Sequence, residues 1–456
     1  MSFSAATFAG LRFAVLGLGR MGLPAARALV ALGAGVTVWD DAAPARAAAA
    51  AEGLVVAEPV MDGLAALVLS PGIAHRFAQA HPAAVRALAA GVAILSDVDL
   101  LYRAVRASGS KARFAGITGT NGKSTTTALL AHIVGVAGRP VAAGGNLGTP
   151  GLALPWLGDD GVYVLEMSSY MLERLATVRF DTACMLNLSA DHIDRHGDMA
   201  GYAMAKRAIF DRCGGGDTAV VGVDDALSRE MAAALRVGGV RVVTVSGAGP
   251  ADVRGDGARL VDGAGVIADM AAAMALPGAH NAQNAAAAAA MAGALGIARE
   301  AIAEGIRTYP GLAHRQENVG TIRGVRFVND SKATNADSTA WALGCYERVI
   351  WIAGGQAKEG GIAPLAPWFP RVALALLIGR DAPALAATLA AAGVEHRIVG
   401  TLEAATGAAW AAAQAGVAPV VLLSPACASW DQFTGFDQRG DVFRDRVRAI
   451  AAGEGV

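Results

Sequence analysis

The sequence predicts an α/β protein with largely parallel sheets, divided into three domains. Short apolar, β-rich runs alternate with alanine-rich helical runs from one end of the chain to the other, which is typical of strand–helix–strand units. The chain has 456 residues, enough for about three domains of about 150 residues each. A polar patch at residues 108–111 and the pair Pro310 and Gly311 suggest where the boundaries fall. We therefore expect domains at residues 1–107, 108–311 and 312–456.

Composition and charge exclude several classes of protein. Hydrophobic residues make up 54% of the chain and charged residues 17%, which excludes a disordered protein. The net charge of −1 argues against a nucleic-acid partner held by a basic surface. The long uncharged stretches, residues 140–158, 271–298 and 404–430, are broken by glycine, proline or polar side chains, so no membrane span is predicted. Four widely spaced cysteines and no secretion signal favour a cytoplasmic protein.

The first third of the chain combines a glycine-rich turn with three predicted strands, at residues 12–16, 36–40 and 67–69. The turn is the motif G-L-G-R-M-G, which contains Gly17, Gly19 and Gly22 and opens a helical run. Asp40 ends the next strand, at the distance expected for a ribose-binding carboxylate. Glycines let the backbone approach a pyrophosphate at a helix N-terminus. The pattern predicts a Rossmann-like domain with a nucleotide or diphosphate site, although a tight turn without a ligand also fits it.

The middle of the chain carries a more specific motif and four predicted strands, at residues 114–118, 162–166, 182–188 and 218–223. The motif lies between the first of these strands and a helical run and consists of Gly119, Thr120, Asn121, Gly122, Lys123, Ser124 and Thr125. In such a P-loop, Lys123 reaches the β- and γ-phosphates and the Ser124 hydroxyl holds Mg²⁺. The usual spacing requires glycine at position 117, where this chain has Ile117. The sequence therefore predicts a P-loop ATPase-type domain of a particular subclass.

Two further groups follow strands of the same domain. Glu166 ends the run V-Y-V-L-E, as a magnesium-binding carboxylate would. His192 lies in the loop D-H-I-D-R-H, and ligands of open α/β sheets bind where strands end. Taken alone, Glu166 also fits a strand-end salt bridge and His192 a solvated loop histidine.

The last third predicts a second Rossmann-like domain. Its apolar runs are at residues 325–329, 349–353, 372–378 and 420–424. The sequence thus predicts, in order, a Rossmann-like domain, a P-loop domain with a parallel or mixed sheet, and another Rossmann-like domain.

The motifs along the chain resemble those of the Mur ligase family in kind and in order. Beyond the P-loop they are E-M-S-S from Glu166, Asn187 and D-H-I-D-R-H, Lys206 within Y-A-M-A-K-R-A-I-F, H-N-A-Q-N from His280, His314 and Arg315, N-D-S-K-A-T-N from Asn329, Gly354 and Gly355 before Lys358, and S-P-A-C-A-S-W-D-Q-F from Ser424. The N-D-S-K-A-T-N and S-P-A-C-A-S segments most resemble the members that add D-glutamate.

The resemblance implies an ATP-dependent ligase that forms a C–N bond in peptidoglycan precursor synthesis. Its substrates would be UDP-N-acetylmuramoyl-L-alanine, D-glutamate and ATP, and its reaction would pass through an acyl phosphate. It further implies two Mg²⁺ ions, an N-carboxylysine at Lys206 and a monomer. The N-terminal domain would bind the UDP-sugar and would use no redox cofactor.

The resemblance also implies a role for individual residues. The catalytic residues would be Lys123, His192, Lys206 and Lys332. The P-loop residues, Asn281, Arg315 and Asp330 would bind ATP, and metal would be held by Ser124, Glu166, His192 and carbamylated Lys206. The UDP-sugar would contact Gly17, Gly19, Gly22, Asp40, Ser70, Pro71, Gly72 and Asn146. D-Glutamate would contact Lys332, Thr334, Lys358, Ser429 and Phe436, beside Trp430, where the family pattern predicts a smaller aliphatic residue.

Three alternatives remain open from the sequence. A nicotinamide-dependent dehydrogenase explains the first glycine motif but leaves the P-loop and the Lys332 segment unexplained. A non-catalytic nucleotide switch leaves the C-terminal motifs without a role. Another Mur-type or folylpolyglutamate-type ligase, including one that adds L-glutamate, shares most of the motifs.

Overall fold

The computed structural model describes residues 3–76, 79–358 and 360–453, and for Asp194 the backbone alone. The chain forms two compact units, Met1–Met274 with Ala279–Tyr309, and Ala275–Gly278 with Pro310–Val456. In the described residues these units contain three sheets, each flanked by helices, so the predicted α/β class is confirmed. The predicted domain bounds themselves stay a prediction.

The first sheet has five parallel strands in the order β3-β2-β1-β4-β5, the arrangement of a Rossmann-like half-sheet. Its strands are β1 Arg12–Leu16, β2 Gly35–Trp39, β3 Val55–Val56, β4 Ala66–Leu69 and β5 Ile94–Leu95. Its helices are α1 Gly22–Ala31, α2 Ala43–Ala51, α3 Pro82–Ala89 and α4 Asp97–Ala107. The three predicted strands are correct to within a residue, and the two short strands β3 and β5 were not predicted.

The second sheet has nine strands in the order β14-β13-β12-β11-β10-β9-β6-β8-β7. Among the described strands of this sheet, the β12–β13 and β13–β14 pairs are antiparallel and the rest are parallel. Its strands are β6 Arg113–Thr118, β7 Val141–Gly145, β8 Val162–Glu166, β9 Thr182–Met185, β10 Thr218–Gly222, β11 Arg241–Ser246, β12 Val253–Asp256, β13 Arg259–Asp262 and β14 Gly265–Asp269. Its helices are α5 Lys123–Val136, α6 Ser169–Leu172, α7 Ile193–His196, α8 Met199–Arg207, α9 Ala226–Val237, α10 Ala279–Ala294 and α11 Arg299–Thr308.

One predicted strand of this sheet ends earlier than expected. The apolar run at residues 182–188 predicted a strand to its end, but β9 stops at Met185. The next residues turn toward the P-loop, because the Asn187 carbonyl oxygen accepts the Thr120 N–H at 2.9 Å. Hydrogen bonding to the loop replaces strand pairing at this point.

The third sheet has six strands in the order β15-β16-β20-β17-β18-β19 and forms the core of the second unit. In the part of this unit that the structure describes, β15 is antiparallel to β16 and the other strand pairs are parallel. Its strands are β15 Glu317–Ile322, β16 Val325–Asn329, β17 Val349–Gly354, β18 Val372–Ile378, β19 His396–Gly400 and β20 Val420–Leu423. Its helices are α12 Ala336–Gly344, α13 Ala382–Ala391, α14 Leu402–Gln414 and α15 Phe436–Ala452.

Apolar strands buried on both faces explain why these sheets form. In β6 and β8, Phe114 and Tyr163 are fully buried and their rings stack with centroids 4.9 Å apart. In the second unit, Trp351 is fully buried and its Nε1–H donates to the Ser424 carbonyl oxygen at 2.7 Å. No helix in the described parts of the chain has both the length and the apolar character needed to cross a membrane.

Candidate active site

The glycine-rich turn after β1 opens onto a cavity of about 460 Å³ in the first unit. Its walls come from the turn, from the ends of β2 and β4, and from the loop after β7. They include seven of the residues predicted to bind the UDP-sugar, namely Gly17, Gly19, Asp40, Ser70, Pro71, Gly72 and Asn146. Gly22 shapes the turn instead, since a Cβ there would lie 1.8 Å from the Gly17 carbonyl oxygen. Only glycine allows the backbone to approach so closely.

Asp40 and Ser70 hold the glycine-rich turn from its two sides. The Asp40 carboxylate accepts the Leu18 N–H at 2.7 Å, and the Ser70 hydroxyl donates to the Gly17 carbonyl oxygen at 2.7 Å. Arg20 also lines the cavity, and its guanidinium donates to the Gly148 carbonyl oxygen at 3.2 Å. Among the cavity-lining residues that the structure describes, Arg20 is the one cation.

The P-loop joins β6 to α5, and its backbone depends on glycine. Gly119 and Gly122 have φ of +148° and +84°, in the region that side chains disfavour. Lys123 begins α5, and its Nζ donates to the carbonyl oxygens of Gly119 and Thr120 at 2.9 and 2.8 Å. Ser124 and Thr125 lie buried in the first turn of α5. The lysine and hydroxyl side chains of the motif therefore lie at one helix N-terminus, a site suited to phosphate.

Lys206 of α8 lies buried against the P-loop. Its side chain is 2% exposed, and its Nζ donates to the Gly119 carbonyl oxygen at 2.9 Å. Burial lowers the pKa of Lys206 well below its ordinary value, and the nearby positive charge of Lys123 lowers it further. Sequence reasoning treats Lys206 alone as an exposed helix lysine, so its burial is a result of the tertiary structure. A buried amine of lowered pKa is available in its neutral, nucleophilic form.

Glu166 ends β8, next to the P-loop strand, since it pairs with Ile117 of β6. The carboxylate is 3% exposed. Its Oε1 accepts the Asn146 Nδ2–H at 2.7 Å, whereas its Oε2 accepts no hydrogen bond from any residue that the structure describes. Because Asn146 also lines the cavity after β1, its side chain links that cavity to the Glu166 carboxylate.

His192 begins the α7 segment with the left-handed φ of +52°. Its side chain is about half exposed, and its Nδ1 lies 2.9 Å from the Tyr170 hydroxyl. The Asp191 carboxylate lies 3.5 Å from its Nε2. His192 is therefore accessible and held by two neighbours, rather than buried in the core.

Asn281 lies on α10 behind the P-loop. Its Oδ1 accepts the Asn284 Nδ2–H at 3.0 Å, and Asn284 in turn accepts the Thr126 hydroxyl at 3.3 Å. A Cβ on Gly122 would lie 2.2 Å from Asn284 Oδ1. The buried amides of α10 thus pack directly against the phosphate loop.

The predicted residues of the second unit gather where its parallel strands end. Asp330 follows β16 and is buried, with its carboxylate accepting the Ser424 hydroxyl at 2.8 Å and the Gln316 N–H at 3.1 Å. Burial raises the pKa of Asp330 to about 7. Arg315 interacts electrostatically with Asp330, and its buried Nε donates to no residue that the structure describes.

The residues predicted to bind D-glutamate fall into two groups in this unit. The Lys332 ammonium lies 5.6 Å from the centre of the Phe436 ring. Lys358 follows β17 and is exposed, and Ser429 follows β20 and is buried. A pair of backbone hydrogen bonds between Gln356 and Ala428, both 2.9 Å, brings these two loops together. Thr334 bonds through its N–H to the Lys332 carbonyl oxygen at 2.9 Å, and Trp430 is 68% exposed beside Ser429.

Sequence reasoning missed two buried arginines that hold these loops. Arg439 of α15 is fully buried and donates to Ser331 Oγ at 3.0 Å and to the Cys427 carbonyl oxygen at 3.1 Å, joining the loops after β16 and β20. Arg174 makes a comparable set of contacts in the first unit. An isolated arginine in a helical run looks like a surface charge, and no signal in this one sequence distinguishes it.

Fold and site together define a three-sheet, P-loop nucleotide-binding enzyme. Residues 117–292 match the Mur ligase middle domain, and residues 314–427 match the Mur ligase, glutamate ligase domain. The chain belongs to the Mur ligase family. Residues 12–93 match the NAD binding domain of 6-phosphogluconate dehydrogenase, in agreement with the Rossmann-like first sheet.

Curated relatives match the chain over nearly its whole length. The UDP-N-acetylmuramoylalanine–D-glutamate ligase of Paramagnetospirillum magneticum is 49% identical over 97% of this chain and 98% of its own. The ligase of the same name from Caulobacter vibrioides is 48% identical over 97% and 96%. Among solved structures, UDP-N-acetylmuramate-alanine ligase MurC from Thermotoga maritima shares the fold, with a TM-score of 0.60 and 17% identity over 96% of this chain and 100% of its own. The chain is thus a ligase that forms amide bonds, and the dehydrogenase and switch alternatives are set aside.

Proposed function

We propose that this protein uses ATP to join D-glutamate to UDP-N-acetylmuramoyl-L-alanine, releasing ADP and phosphate. The observation that carries the proposal is the meeting of the P-loop, buried Glu166 and buried Lys206 at the end of β6 and β8. The length-wide identity to ligases of that name supports the choice of D-glutamate.

The reaction has to overcome the poor reactivity of a carboxylate toward amines at neutral pH. Transfer of the γ-phosphoryl group of ATP to the L-alanyl carboxylate creates an acyl phosphate and releases ADP. The D-glutamate amine then attacks the acyl carbon, and the tetrahedral intermediate collapses to the amide with loss of phosphate. Two anions meet in the first step, so a site rich in cations and N–H donors is required.

In this proposal the P-loop positions the ATP phosphates. Its backbone N–H groups surround the β-phosphate, and the Lys123 ammonium neutralises charge that develops during transfer. Thr120, Asn121 and Thr125 complete the loop, and Asn281 serves the adenine side. Arg315 and Asp330 of the second unit serve the phosphates and ribose.

The residues around the P-loop fit Mg²⁺. The Oε2 atom of Glu166 is a buried carboxylate oxygen with no partner among the described residues, and the Ser124 hydroxyl lies in the adjoining turn. Magnesium usually keeps several waters and takes few protein ligands. The described residues contain no cluster of three or more His, Cys, Asp or Glu side chains, so an ion bound here would take few protein ligands. Ser124 and Glu166 would hold one ion and His192 and Lys206 a second, and bound there they would offset phosphate charge.

Carbamylation of Lys206 fits the environment of its amine. The neutral amine adds to the carbon of CO₂ and loses a proton, forming an N-carboxylate. The lowered pKa supplies that neutral amine, and the product places a negative charge beside the Lys123 ammonium. The resulting carboxylate would be a metal ligand.

The cavity after β1 would bind the UDP-sugar, with glycine-turn N–H groups at the diphosphate and Asn146 toward the muramoyl part. In the second unit, Lys332 and Lys358 would counter the D-glutamate carboxylates, with Thr334, Ser429 and Phe436 as further contacts. We propose a monomer that works in the cytoplasm, where ATP and UDP-sugars are made.

Phosphate release from ATP tests the proposal. The purified chain is incubated with UDP-N-acetylmuramoyl-L-alanine and, separately, D-glutamate, L-glutamate, L-alanine or diaminopimelate. We expect amino-acid-dependent release with D-glutamate alone, with the amide product identified by mass spectrometry. Release with another amino acid only, or release without amide formation, would contradict the proposal.

A further inference from the structure

Arg174 is a buried guanidinium that no motif predicts. It follows α6, two residues beyond Leu172, and is 4% exposed. Desolvation lowers its pKa to about 10, so it remains a cation at neutral pH. A buried cation is costly unless its donors are satisfied, and here backbone carbonyl oxygens do so.

Those carbonyl oxygens belong to the end of β4 and to residues 70–73, which we call the 70–73 loop. Nη1 donates to the carbonyl oxygens of Leu69 and Ser70, both at 3.0 Å. Nη2 donates to the Pro71 carbonyl oxygen at 3.3 Å and to that of Ile73. One guanidinium thus takes four carbonyl groups of one short segment, a fork that no other side chain supplies.

The 70–73 loop is a wall of the first cavity. All four of its residues line that cavity. The loop also contacts the glycine-rich turn, because the Ser70 hydroxyl donates to the Gly17 carbonyl oxygen at 2.7 Å. The contacts of Arg174 therefore extend through Ser70 to the turn proposed to bind the diphosphate.

On its other side, Arg174 belongs to a cluster that contains the α7 segment. His75 Nδ1 accepts Arg174 Nε–H at 3.3 Å and lies 3.4 Å from the Arg195 guanidinium. Arg195 donates to the Glu173 carboxylate at 3.0 Å, and His196 lies 3.1 Å from the same carboxylate. Because Arg195 and His196 belong to α7, the cluster joins the 70–73 loop to the segment that begins with His192.

The cluster carries an excess of positive charge. Burial and neighbouring arginines lower the pKa of His75 to about 3, so its ring is neutral at neutral pH, and burial also lowers the pKa of His196. Arg174 and Arg195 then face the single carboxylate of Glu173. Buried charges are weakly screened, so this excess positive charge acts on the 70–73 loop and partly offsets the Asp40 and Asp41 carboxylates that also line the cavity.

We infer that Arg174 is a positioning residue of the sugar-nucleotide site, which holds the 70–73 loop in its cavity-lining shape and ties it to the His192 segment. The inference rests on the proposed function for the identity of the ligand, a uridine diphosphate group. It predicts that loss of the guanidinium weakens binding of that group and leaves nucleotide binding at the P-loop unchanged.

Direct binding of UDP and of ATP to the full chain, measured by calorimetry, tests the inference in the variants R174M and R174K. We expect the Kd for UDP to rise about tenfold in R174M, since the loop carbonyls lose a charged donor, and less in R174K, which keeps the charge without the fork. The Kd for ATP should stay within about twofold. R103M is the control, because Arg103 also bridges separate segments, with its Nε 3.3 Å from Thr177 Oγ1, but is not among the described residues that line the cavity.

Unchanged UDP binding in R174M would overturn the inference. Equal weakening of UDP and ATP would also overturn it, since that result indicates general loss of structure. If R174M does not fold, the Kd values of R174K for UDP and for ATP provide the same test. If the guanidinium contact itself matters, added guanidinium should restore UDP binding to R174G. Wild-type protein that binds UDP but forms no amide would refute the proposed function and leave this test intact, whereas wild-type protein that does not bind UDP would overturn the inference.

Discussion

Replacement of Gly122 by alanine is a sharp test of how the P-loop is built. Gly122 has φ of +84° at the N-terminus of α5. A left-handed conformation costs alanine about 1–2 kcal/mol. The new Cβ would also lie 2.2 Å from Asn284 Oδ1, and that buried amide is bonded to both Thr126 and Asn281. Displacing it puts two hydrogen bonds at risk, at about 1 kcal/mol each.

The sum is a destabilisation of about 3–4 kcal/mol for G122A. Gly138 provides the matched control, since it has φ of +74° just beyond the other end of α5 and a Cβ there meets nothing within 4 Å. G138A should therefore cost about 1–2 kcal/mol from the backbone alone. The difference between the two variants isolates the contact with Asn284.

Thermal unfolding and ATP kinetics provide the measurements. At about 2–4 °C per kcal/mol, G122A should unfold several degrees below G138A. Its kcat/KM for ATP should fall by about 10²-fold because the phosphate loop is displaced, while that of G138A stays near wild type. Equal unfolding temperatures together with normal ATP kinetics in G122A would refute this account of the loop.

Three further predictions address the other parts of the site. K123A should reduce phosphate release to about 1% of wild type or less. The control K111A, which changes an exposed lysine, should release phosphate at the wild-type rate. Retained activity in K123A would exclude the P-loop lysine from the reaction. Because burial raises the pKa of Asp330 from 3.8 to about 7, the folded state favours the protonated carboxyl, and stability should decline as pH rises through that interval. Thermal scans across it should show a smaller decline in D330N, and parallel slopes would contradict the assignment. R20M should raise KM for UDP-N-acetylmuramoyl-L-alanine about fivefold through loss of a charged donor, against no change in the exposed-residue control R86M; an unaltered KM in R20M would exclude Arg20 as a contact.

Much of the fold followed from local patterns. The strands at residues 12–16, 162–166, 325–329 and 372–378 match β1, β8, β16 and β18 in both bounds. Their apolar side chains are buried on both faces of the sheet. Such a strand is largely a continuous apolar run, so it can be predicted from consecutive residues alone. The antiparallel edge of β12, β13 and β14 was missed, because strands of four or five residues at a sheet edge carry a weak pattern.

The candidate site was predicted only in part. The glycine turn and the P-loop are contiguous motifs, and both lie where strands end. The environments of their partners were not predictable. Lys206 is buried against Gly119, and Asn146 bonds Glu166, across separations of 87 and 20 residues. Nothing in the residues next to Lys206 or Asn146 indicates such contacts.

The sequence by itself determined the α/β class, the order of the two Rossmann-like sheets around the P-loop sheet, and the family of ligases. These three features can be predicted from short runs of residues, because the spacing of apolar residues and the glycine-rich motifs are both local patterns. Only the tertiary structure decided which charged groups are buried and what satisfies them. In the sequence, Arg174 and Arg439 look like ordinary surface arginines. In the folded protein, Arg174 donates to four carbonyl groups, and Arg439 joins the loops after β16 and β20. The cost of burying a charge depends on partners distant in sequence, which is why the fold and not the motif reveals these residues.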